Sequence, residues 1–402
     1  MPSRRRYLAG VASAGTVAIV GCTGESDYDD AADAAGDATD WPTLAHDGAN
    51  TGYNPKGRGP ESGVRERWTA DISSAAAPPV VADDRVYVAS GDDLLCLAAA
   101  DGSEVWSHTF DDGKTMALWS APTVRDGRVY VSGGNAETLR ILDAATGEKR
   151  REFPTRGEVS GAPRLGRDGR RAFVSTTEGW IHCFDLEAGT EYWRTELFGH
   201  VVAPLAVPKN SSLLYVATEG GEVYALSKDD GGGAWRQKVP GMLEVAPAVV
   251  GRSVYVLPFG GRVHKLSTED AGAVEWTSES RAFSDHHLAV ADGRVFATDG
   301  DSLLAIDADS GETDWTVSTP DNANCAPAVA DDTVYVGDES GRVHAVKTGG
   351  GNSVGGVRWG ARRWKTDLGG RVREGVTVAD GRLYAYTAPS EKQNRLHALE
   401  EP

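Results

Sequence analysis

The sequence contains few of the residues that favour helices or a disulfide framework. Its 402 residues include 3 Met and 4 Cys, against 49 Gly and 18 Pro. Long helices are therefore not expected, and the turn-rich composition favours an all-β chain. Basic charge is also scarce, because 41 Lys and Arg residues face 59 Asp and Glu residues, which gives a net charge of −18. This balance argues against nucleic acid as a partner and indicates an acidic, soluble surface adapted to high salt.

The N-terminus has the pattern of an export signal. An uncharged run from Leu8 to Val20 follows three consecutive arginines and is too short to span a bilayer as a helix. The arginines resemble a twin-arginine signal, and the run ends in Ile19-Val20-Gly21-Cys22, which resembles a lipobox. The resemblance implies that the thiol of Cys22 accepts a lipid. We therefore expect residues 1–21 to be a signal peptide.

The residues after Cys22 have little apolar surface to bury. We expect residues 22–40 to be an acidic disordered tether, because they are mainly Gly, Ser, Ala, Asp and Glu. Residues 41–402 are then the folded body. The expected location is outside the cell, lipid-anchored to the outer face of the cytoplasmic membrane, and we expect a monomer.

From about residue 75 onward one unit recurs: Ala-Pro, an apolar run, a turn, a second strand with a central aromatic, a Gly-rich turn, a third strand and a closing aromatic. The central aromatics are separated by 43, 43, 42, 40, 41, 39 and 49 residues; they are Tyr87, Tyr130, Phe173, Tyr215, Tyr255, Phe296, Tyr335 and Tyr384. The strands alternate in polarity and are bounded by turns such as Asp126-Gly127. Eight repeats of this kind predict an eight-bladed β-propeller of four-stranded antiparallel blades.

The closing aromatics are displaced toward the N-terminus relative to the central ones. They are Trp68, Trp106, Phe153, Trp193, Trp235, Trp276, Trp315 and Trp364. The first repeat therefore contributes only its last strand, around Trp68, and the last repeat lacks one. We expect the N-terminal strand Arg65 to Ala70 to join the C-terminal blade, because closure of the ring removes exposed sheet edges.

Several closing tryptophans follow a turn with Asp at its start and Gly near its end. The stretches 100–106, 143–147 and 307–315 resemble the tryptophan-docking motif of quinoprotein dehydrogenases and their relatives. Asp accepts backbone N–H groups in such a turn, Gly permits positive φ, and the indole packs between blades. The resemblance covers about residues 41–402 and implies a PQQ-like (quinoprotein-repeat) propeller. It makes one set of residues structural: Trp68, Trp106, Trp193, Trp235, Trp276, Trp315 and Trp364.

In propellers of this kind the first strand of each blade lines the central channel, so the residues just before Ala-Pro are expected at one mouth. These positions are Ala75, Trp119, Ser160, Val201, Glu244, Asp285, Asn324 and Arg373, with His286 beside Asp285. Four consecutive blades supply the polar members Glu244, Asp285, Asn324 and Arg373. A ring of solvated side chains explains them; alternatively, Glu244, Asp285 and Asn324 offer the oxygen ligands that quinoprotein dehydrogenases use to hold calcium under the quinone.

The resemblance to the dehydrogenases is incomplete, because the chain lacks their adjacent Cys-Cys pair and long catalytic insertions. In length and uniformity it is more similar to the BamB-like lipoprotein branch of the family. Three cysteines remain besides Cys22, so one disulfide at most can form within the body. Asn210-Ser211-Ser212 has the pattern of a glycosylation acceptor.

One region departs from the acidic repeat pattern. Residues 349–356 are Gly-rich and precede the partner-loop candidates Arg358, Trp359, Arg362 and Arg363. Such residues occur at interface hot spots, and they equally serve to balance acidic neighbours. Both interpretations stay open.

These features favour a surface-anchored, non-enzymatic binding or scaffold lipoprotein with a protein partner and no cofactor. The first alternative is an alcohol or sugar dehydrogenase that uses PQQ and calcium, the latter at Glu244, Asp285 and Asn324. The second alternative is a propeller that senses a small ligand in its channel.

Overall fold

The computed structural model describes residues 39–402, except 76, 111–119, 133–136, 285, 286, 320, 324, 355, 356, 391 and 392. The predicted signal peptide, Cys22 and nearly all of the predicted tether lie outside the described residues. Asp40 is buried, so the folded body already includes the end of the predicted tether. Within the described residues, the fold contains no helix long and apolar enough to cross a membrane.

The described chain forms eight antiparallel sheets, arranged as an eight-bladed β-propeller. The strands of each blade are given from the innermost to the outermost. Blade 1 comprises Val80–Ala82, Arg85–Ser90, Asp93–Ala98 and Glu104–Thr109, and blade 2 comprises Thr123–Arg125, Arg128–Ser132, Thr138–Asp143 and Lys149–Pro154. Blade 3 comprises Arg164–Leu165, Arg171–Ser175, Trp180–Asp185 and Thr190–Glu196. Blade 4 comprises Leu213–Ala217, Glu222–Ser227 and Gly233–Lys238. Its innermost strand is reduced to one bridge between Ala206 and Tyr215, flanked by Pro204 and Pro208, which have no N–H for a longer ladder.

The remaining blades follow the same order and add two short segments. Blade 5 comprises Ala248–Val250, Ser253–Val256, Arg262–Ser267 and Val274–Arg281. Blade 6 comprises Ala289–Ala291, Arg294–Asp299, Ser302–Asp307 and Thr313–Ser318. Blade 7 comprises Ala328–Ala330, Thr333–Gly337, Arg342–Lys347 and Arg362–Asp367. Blade 8 comprises Val376–Ala379, Arg382–Ser390, Gln393–Glu400 and Arg65–Ile72. The hairpin Ser353–Val354 and Val357–Trp359 extends blade 6, and Tyr53–Asn54 extends blade 7.

The ring closes as the sequence predicts. Arg65–Ile72 pairs antiparallel with Gln393–Glu400, with Arg65 opposite Glu400 and Ile72 opposite Asn394. The prediction that the first strand completes the last blade is therefore confirmed. Gln393–Glu400 is thereby paired on both sides, and the eighth blade has the same four strands as a complete blade.

The seven predicted docking tryptophans all lie on outermost strands, each about 6 Å from the central aromatic of its own blade. The indole of Trp106 donates its N–H to the carbonyl of Ala144 in the next blade, at 3.0 Å. Gly147 of that blade has φ of 73°, and a Cβ there would lie 2.5 Å from the ring. Only glycine lets the turn approach the indole so closely, so each tryptophan joins two blades.

Blade 2 departs from this arrangement, and the assignment of Phe153 as its closing aromatic is corrected. Arg151, and not Phe153, stands opposite Ile141 in the register that the tryptophans occupy elsewhere. The Arg151 guanidinium donates to the carbonyl of Leu186 at 2.8 Å and lies against Gly189, the glycine of the next turn. A cation thus makes the kind of hydrogen bond that the indole N–H makes at six of the seven docking tryptophans, Trp235 Nε1 having no partner among the described residues.

The turn between the first and second strands follows the predicted Asp-Gly chemistry. Asp126 and Gly127 both have positive φ, of 52° and 66°, as does the pair Asp292 and Gly293. Two consecutive left-handed residues form the tight turn that matches the twist of a hairpin.

Cys96, Cys183 and Cys325 are buried thiols, and no disulfide joins them. Burial raises the pKa of Cys96 to about 11 and that of Cys183 to about 12, so both stay protonated and unreactive.

Residues 39–54, here called the lead-in segment, cross the innermost strands at one end of the channel. Backbone N–H groups of six blades donate to its carbonyls at 2.5–3.0 Å, from Val81, Val124, Val207, Val249, Val290 and Val329. Blade 8 adds a bond from Asp380 N to Thr39 O. Blade 3 instead uses the side chain of Arg164. The segment therefore ties the whole ring together and occupies this end of the channel.

Candidate functional site

The predicted channel-mouth residues precede the innermost strands, whereas the lead-in segment crosses those strands near their other end. Glu244 and Arg373 are exposed. Trp119, Asp285, His286 and Asn324 lie outside the described residues, so the proposed calcium ligands Glu244, Asp285 and Asn324 remain a prediction. The neighbouring His287 is buried, and its Nδ1 lies 2.9 Å from the Leu288 carbonyl.

The described residues place one group of carboxylates close enough to share a cation, and it is not the predicted set. Glu61, Asp331 and Asp332 have ligand atoms within 4.8 Å of one another, and all three side chains are exposed. Arg363 already forms ion pairs with Glu61, at 3.1 Å, and with Asp332. The guanidinium pairs with two of the three carboxylates, so these side chains already belong to an ion-pair network of the protein itself.

The four partner-loop candidates lie along the edges of blades 6 and 7. Arg358 pairs in parallel with Trp315 of blade 6, and its guanidinium lies 3.2 Å from the Asp314 carboxylate. Arg362 donates to the carbonyl of Ser318. With Arg363 also paired, the guanidiniums serve the fold, which supports the charge-balance interpretation. Trp359 is the exception, since 54% of its surface is exposed.

A group of exposed apolar side chains stands at the opposite face from the lead-in segment. Phe198, Met242 and Phe259, here called the apolar ridge, are 82%, 49% and 57% exposed. Phe198 and Met242 lie in connections between successive blades, and Phe259 lies in the hairpin turn between the second and third strands of blade 5. In an antiparallel blade these two kinds of loop lie at the same end, so all three side chains are on one face.

The loops that carry the ridge contact one another in sequence around the ring. Phe259 N donates to the carbonyl of Met242 at 2.8 Å. The Phe259 ring meets that of Phe283 edge-on, with centroids 5.3 Å apart. A Cβ on Gly221 would lie 2.4 Å from the Gly241 carbonyl, so the blade 4 turn touches the loop of Met242. The ridge was not identified from the sequence. Its members are nevertheless recognisable in the sequence, because each is a large apolar residue next to a glycine of a turn or loop.

Charged side chains of both signs border the ridge. Among the cations, Lys238 donates to the Gly220 carbonyl, and Arg281 donates to the Gly260 carbonyl beside Phe259. Glu196 and Glu244 are exposed and lie two residues from Phe198 and Met242, and Glu219 lies in the blade 4 turn between their loops. Glu244, Phe259 and Phe283 also line a small cavity of about 80 Å³. An apolar surface with a charged rim has the anatomy of a protein interface, with a desolvated centre and a polar border.

The repeats match a known family. The family model described as outer membrane protein assembly factor BamB matches residues 59–153, 137–241, 177–272 and 247–359, which together cover most of the chain. The chain belongs to the BamB family. The outer membrane protein assembly factor BamB of Bordetella pertussis is 32% identical over 221 residues, which is 51% of this chain and 55% of that protein. The match thus spans about half the length of that relative.

Solved structures show the same fold at low identity. BamB from Moraxella catarrhalis aligns with a TM-score of 0.63 at 18% identity, covering 84% of this chain and 98% of that one. The quinohemoprotein alcohol dehydrogenase of Comamonas testosteroni aligns with a TM-score of 0.70 at 16% identity, covering 90% of this chain and 80% of that one. At these identities the similarity concerns the PQQ-like propeller fold and not the activity.

Proposed function

We propose that this BamB-family chain is a non-enzymatic scaffold at a cell surface that binds a protein partner through the apolar ridge. The observation that carries the proposal is the exposure of Phe198, Met242 and Phe259 on adjoining loops of one face. Large apolar side chains gathered on a soluble surface are a mark of interaction sites. The family supports the proposal, since its described members are assembly factors.

The partner should present an apolar centre bordered by charged side chains complementary to this rim, with cations opposite the three glutamates. Glu196, Glu219 and Glu244 border the ridge, and complementary charge both orients an encounter and disfavours wrong partners. Aromatic and methionine side chains at the centre then exclude water and provide most of the affinity.

Substitution of the ridge tests this proposal. Phe198→Ser, Met242→Ser and Phe259→Ser combined should abolish recovery of the partner in a pull-down from the native membrane while leaving the Tm of the propeller nearly unchanged. The matched control combines Val105→Ser and Tyr192→Ser, two residues exposed at 43% and 52% on outermost strands. Equal loss in both variants, or undiminished binding by the ridge variant, would show that the ridge is not the interface.

We also propose that the chain is exported and tethered by lipid on Cys22, with residues 1–21 removed and residues 22–40 acting as a tether. The sequence pattern of the N-terminus supports this, and the outer face of the cytoplasmic membrane is the location it favours. Metabolic labelling with a radioactive fatty acid should mark the chain, and Cys22→Ser should release it from membranes. Label retained by the Cys22→Ser variant would contradict the assignment.

The dehydrogenase alternative makes a distinct prediction. A chain that holds PQQ with calcium at Glu244, Asp285 and Asn324 should show a saturable rise in Tm with both ligands, because a ligand that binds only the folded state stabilises it. Asp285→Ala should remove that rise. The scaffold proposal expects no rise in either protein.

A further inference from the structure

A cavity of about 150 Å³ lies between the lead-in segment and blades 2 to 5, at the end of the channel opposite the apolar ridge. Its apolar walls include Pro42, Val124, Leu165, Val207 and Val249. These side chains and backbone segments belong to four different blades and to the segment that ties them together. The cavity therefore exists only in the closed ring.

The charged residues of the cavity are mainly cationic, although the protein as a whole is acidic. Its walls contain three cationic side chains, those of Arg125, Arg164 and Lys209, and one carboxylate, that of Asp47, in a chain of net charge −18. Arg125 lies 3.3 Å from the carboxylate of Asp126. Asp47 is also engaged, since it accepts from the N–H groups of Ala49 and Thr51 and from the Thr51 hydroxyl, at 2.6–3.1 Å.

Arg164 is the distinctive member of this set. It is 1% exposed, and its guanidinium donates to the carbonyls of Leu205 and Leu44 at 3.2 Å, to Thr43 Oγ1 at 2.6 Å and to Asn50 Oδ1 at 2.5 Å. All four acceptors are neutral, and a guanidinium has five N–H donors, so one donor on Nη1 is left over. Burial lowers the pKa of Arg164 to about 10, against the opposing effect of Asp47. A buried cation without a carboxylate in contact favours an incoming anion.

A second buried polar atom lines the same cavity. His46 is 2% exposed, and its Nδ1 forms no hydrogen bond; the Asp47 carboxylate is 3.7 Å away. That carboxylate is within ion-pair distance of the nitrogen, so His46 already has an acidic neighbour. The cavity thus combines an apolar body with one polar position that lacks an acceptor, on Arg164.

We propose that this cavity is a binding site for a small organic carboxylate, with the carboxylate at Arg164 and a short apolar chain against the valine-lined walls. The volume accommodates a few carbon atoms. The apolar walls distinguish this ligand from an inorganic anion, which would leave them in contact with water. The site is distinct from the protein interface proposed for the apolar ridge and lies at the other end of the propeller.

The test compares butyrate with butyramide, its uncharged counterpart, by calorimetric titration and by Tm of the full chain. Butyrate should bind saturably and raise the Tm, and butyramide should bind at least about tenfold more weakly, because it cannot form charge-assisted hydrogen bonds with the guanidinium. A cavity that holds water only would show no saturable effect of butyrate, and that result overturns the proposal.

Two variants locate the site. Arg164→Thr places at this position the residue that blade 2 carries as Thr123, and Lys209→Gln removes a second cation from the cavity lining. Both should weaken butyrate binding by roughly tenfold. The control Lys265→Gln removes a cation that pairs with Glu275 at 3.2 Å on blade 5, and it should bind butyrate normally. Unchanged affinity in both Arg164→Thr and Lys209→Gln would place the ligand elsewhere and refute the assignment.

Discussion

At the residue scale, each docking tryptophan belongs to a recognisable sequence motif and packs between two blades, so its substitution should affect stability. Trp315 is 1% exposed, contacts Phe296 within its blade and donates to the Thr348 carbonyl of the next blade at 3.0 Å. Its loss removes buried apolar surface and leaves a cavity between two blades. The contribution of each docking tryptophan is therefore shared between blades rather than confined to one.

Trp315→Ala should lower the free energy of unfolding by about 3–5 kcal/mol, the range for a buried large aromatic residue. Chemical denaturation followed by fluorescence measures the change. Trp359→Ala is the matched control, since that indole is 54% exposed and its loss should cost at most about 0.5 kcal/mol. Similar costs for the two variants would mean that the indole of Trp315 does not join the blades.

Arg151 offers the converse test, because it stands where seven other blades have tryptophan. Gly189 already has φ of 75°, and the Leu186 carbonyl already accepts a hydrogen bond. Arg151→Trp should therefore raise stability by about 1 kcal/mol through added apolar burial at a prepared site. Arg150→Trp, on the neighbouring exposed position, should bring no gain in denaturation midpoint. A destabilised Arg151→Trp would show that this blade boundary is shaped for the cation.

Histidines on third strands give the stability a dependence on pH. Burial lowers the pKa of His264 below its ordinary value of 6.5, and burial also lowers that of His182 against the opposing effect of Glu191. The unfolded chain therefore binds protons at a higher pH than the native state does, so the stability these groups provide is complete above about 6.5 and is lost as the pH falls below it. Tm measured against pH should decline in that range, and His264→Gln should make the decline shallower. An identical slope in His264→Gln would exclude a contribution from that histidine.

At the element scale, the lead-in segment occupies one end of the channel and is hydrogen-bonded to the inner strands there. Six innermost strands donate backbone hydrogen bonds to it, and each such bond contributes about 1 kcal/mol net. Because the segment contacts every blade, it links inner strands that otherwise touch only their neighbours. It does so through peptide groups, with Arg164 in place of a peptide group at blade 3.

A chain that begins at Pro55 should retain the propeller but lose protection at these inner strands. Hydrogen exchange is the measurement: the amides of Val81, Val124, Val207, Val249, Val290 and Val329 should exchange much faster than in the longer chain. Amides on the outer strand Thr313–Ser318 should exchange at nearly the same rate in both. Unaltered protection of the inner amides would mean that the segment only covers the ring and does not stabilise it.

The elements differ in how far the sequence predicted them. Strand periodicity, turn glycines and the spacing of aromatics identified eight blades, since those features repeat and are local. The path of the lead-in segment depends on backbone hydrogen bonds to distant residues, which leave no pattern in side chains. Arg164 did carry a signal, as a charged residue directly after Ala162-Pro163 where other repeats have small or apolar residues. The Gly-rich composition of residues 349–356 did not indicate that Val357–Trp359 pairs with blade 6, where the Arg358 guanidinium also meets the Asp314 carboxylate.

At the scale of the whole molecule, the two ends of the propeller differ in structure. One end is occupied by the lead-in segment and contains a small cationic cavity. The other carries the apolar ridge and its charged rim. A closed ring with buried interblade tryptophans gives both ends a rigid support, so neither surface requires rearrangement of the fold before binding.

Site-specific photo-crosslinking in the native cell shows whether a protein binds at the ridge. A photoreactive phenylalanine analogue placed at Phe198, Met242 or Phe259 should give a covalent adduct with one and the same protein from all three positions. The analogue placed at Val105 or Tyr192 should give none. Adducts that form only at those outer-strand positions, or only at Trp359, would contradict the account and move the interface away from the ridge.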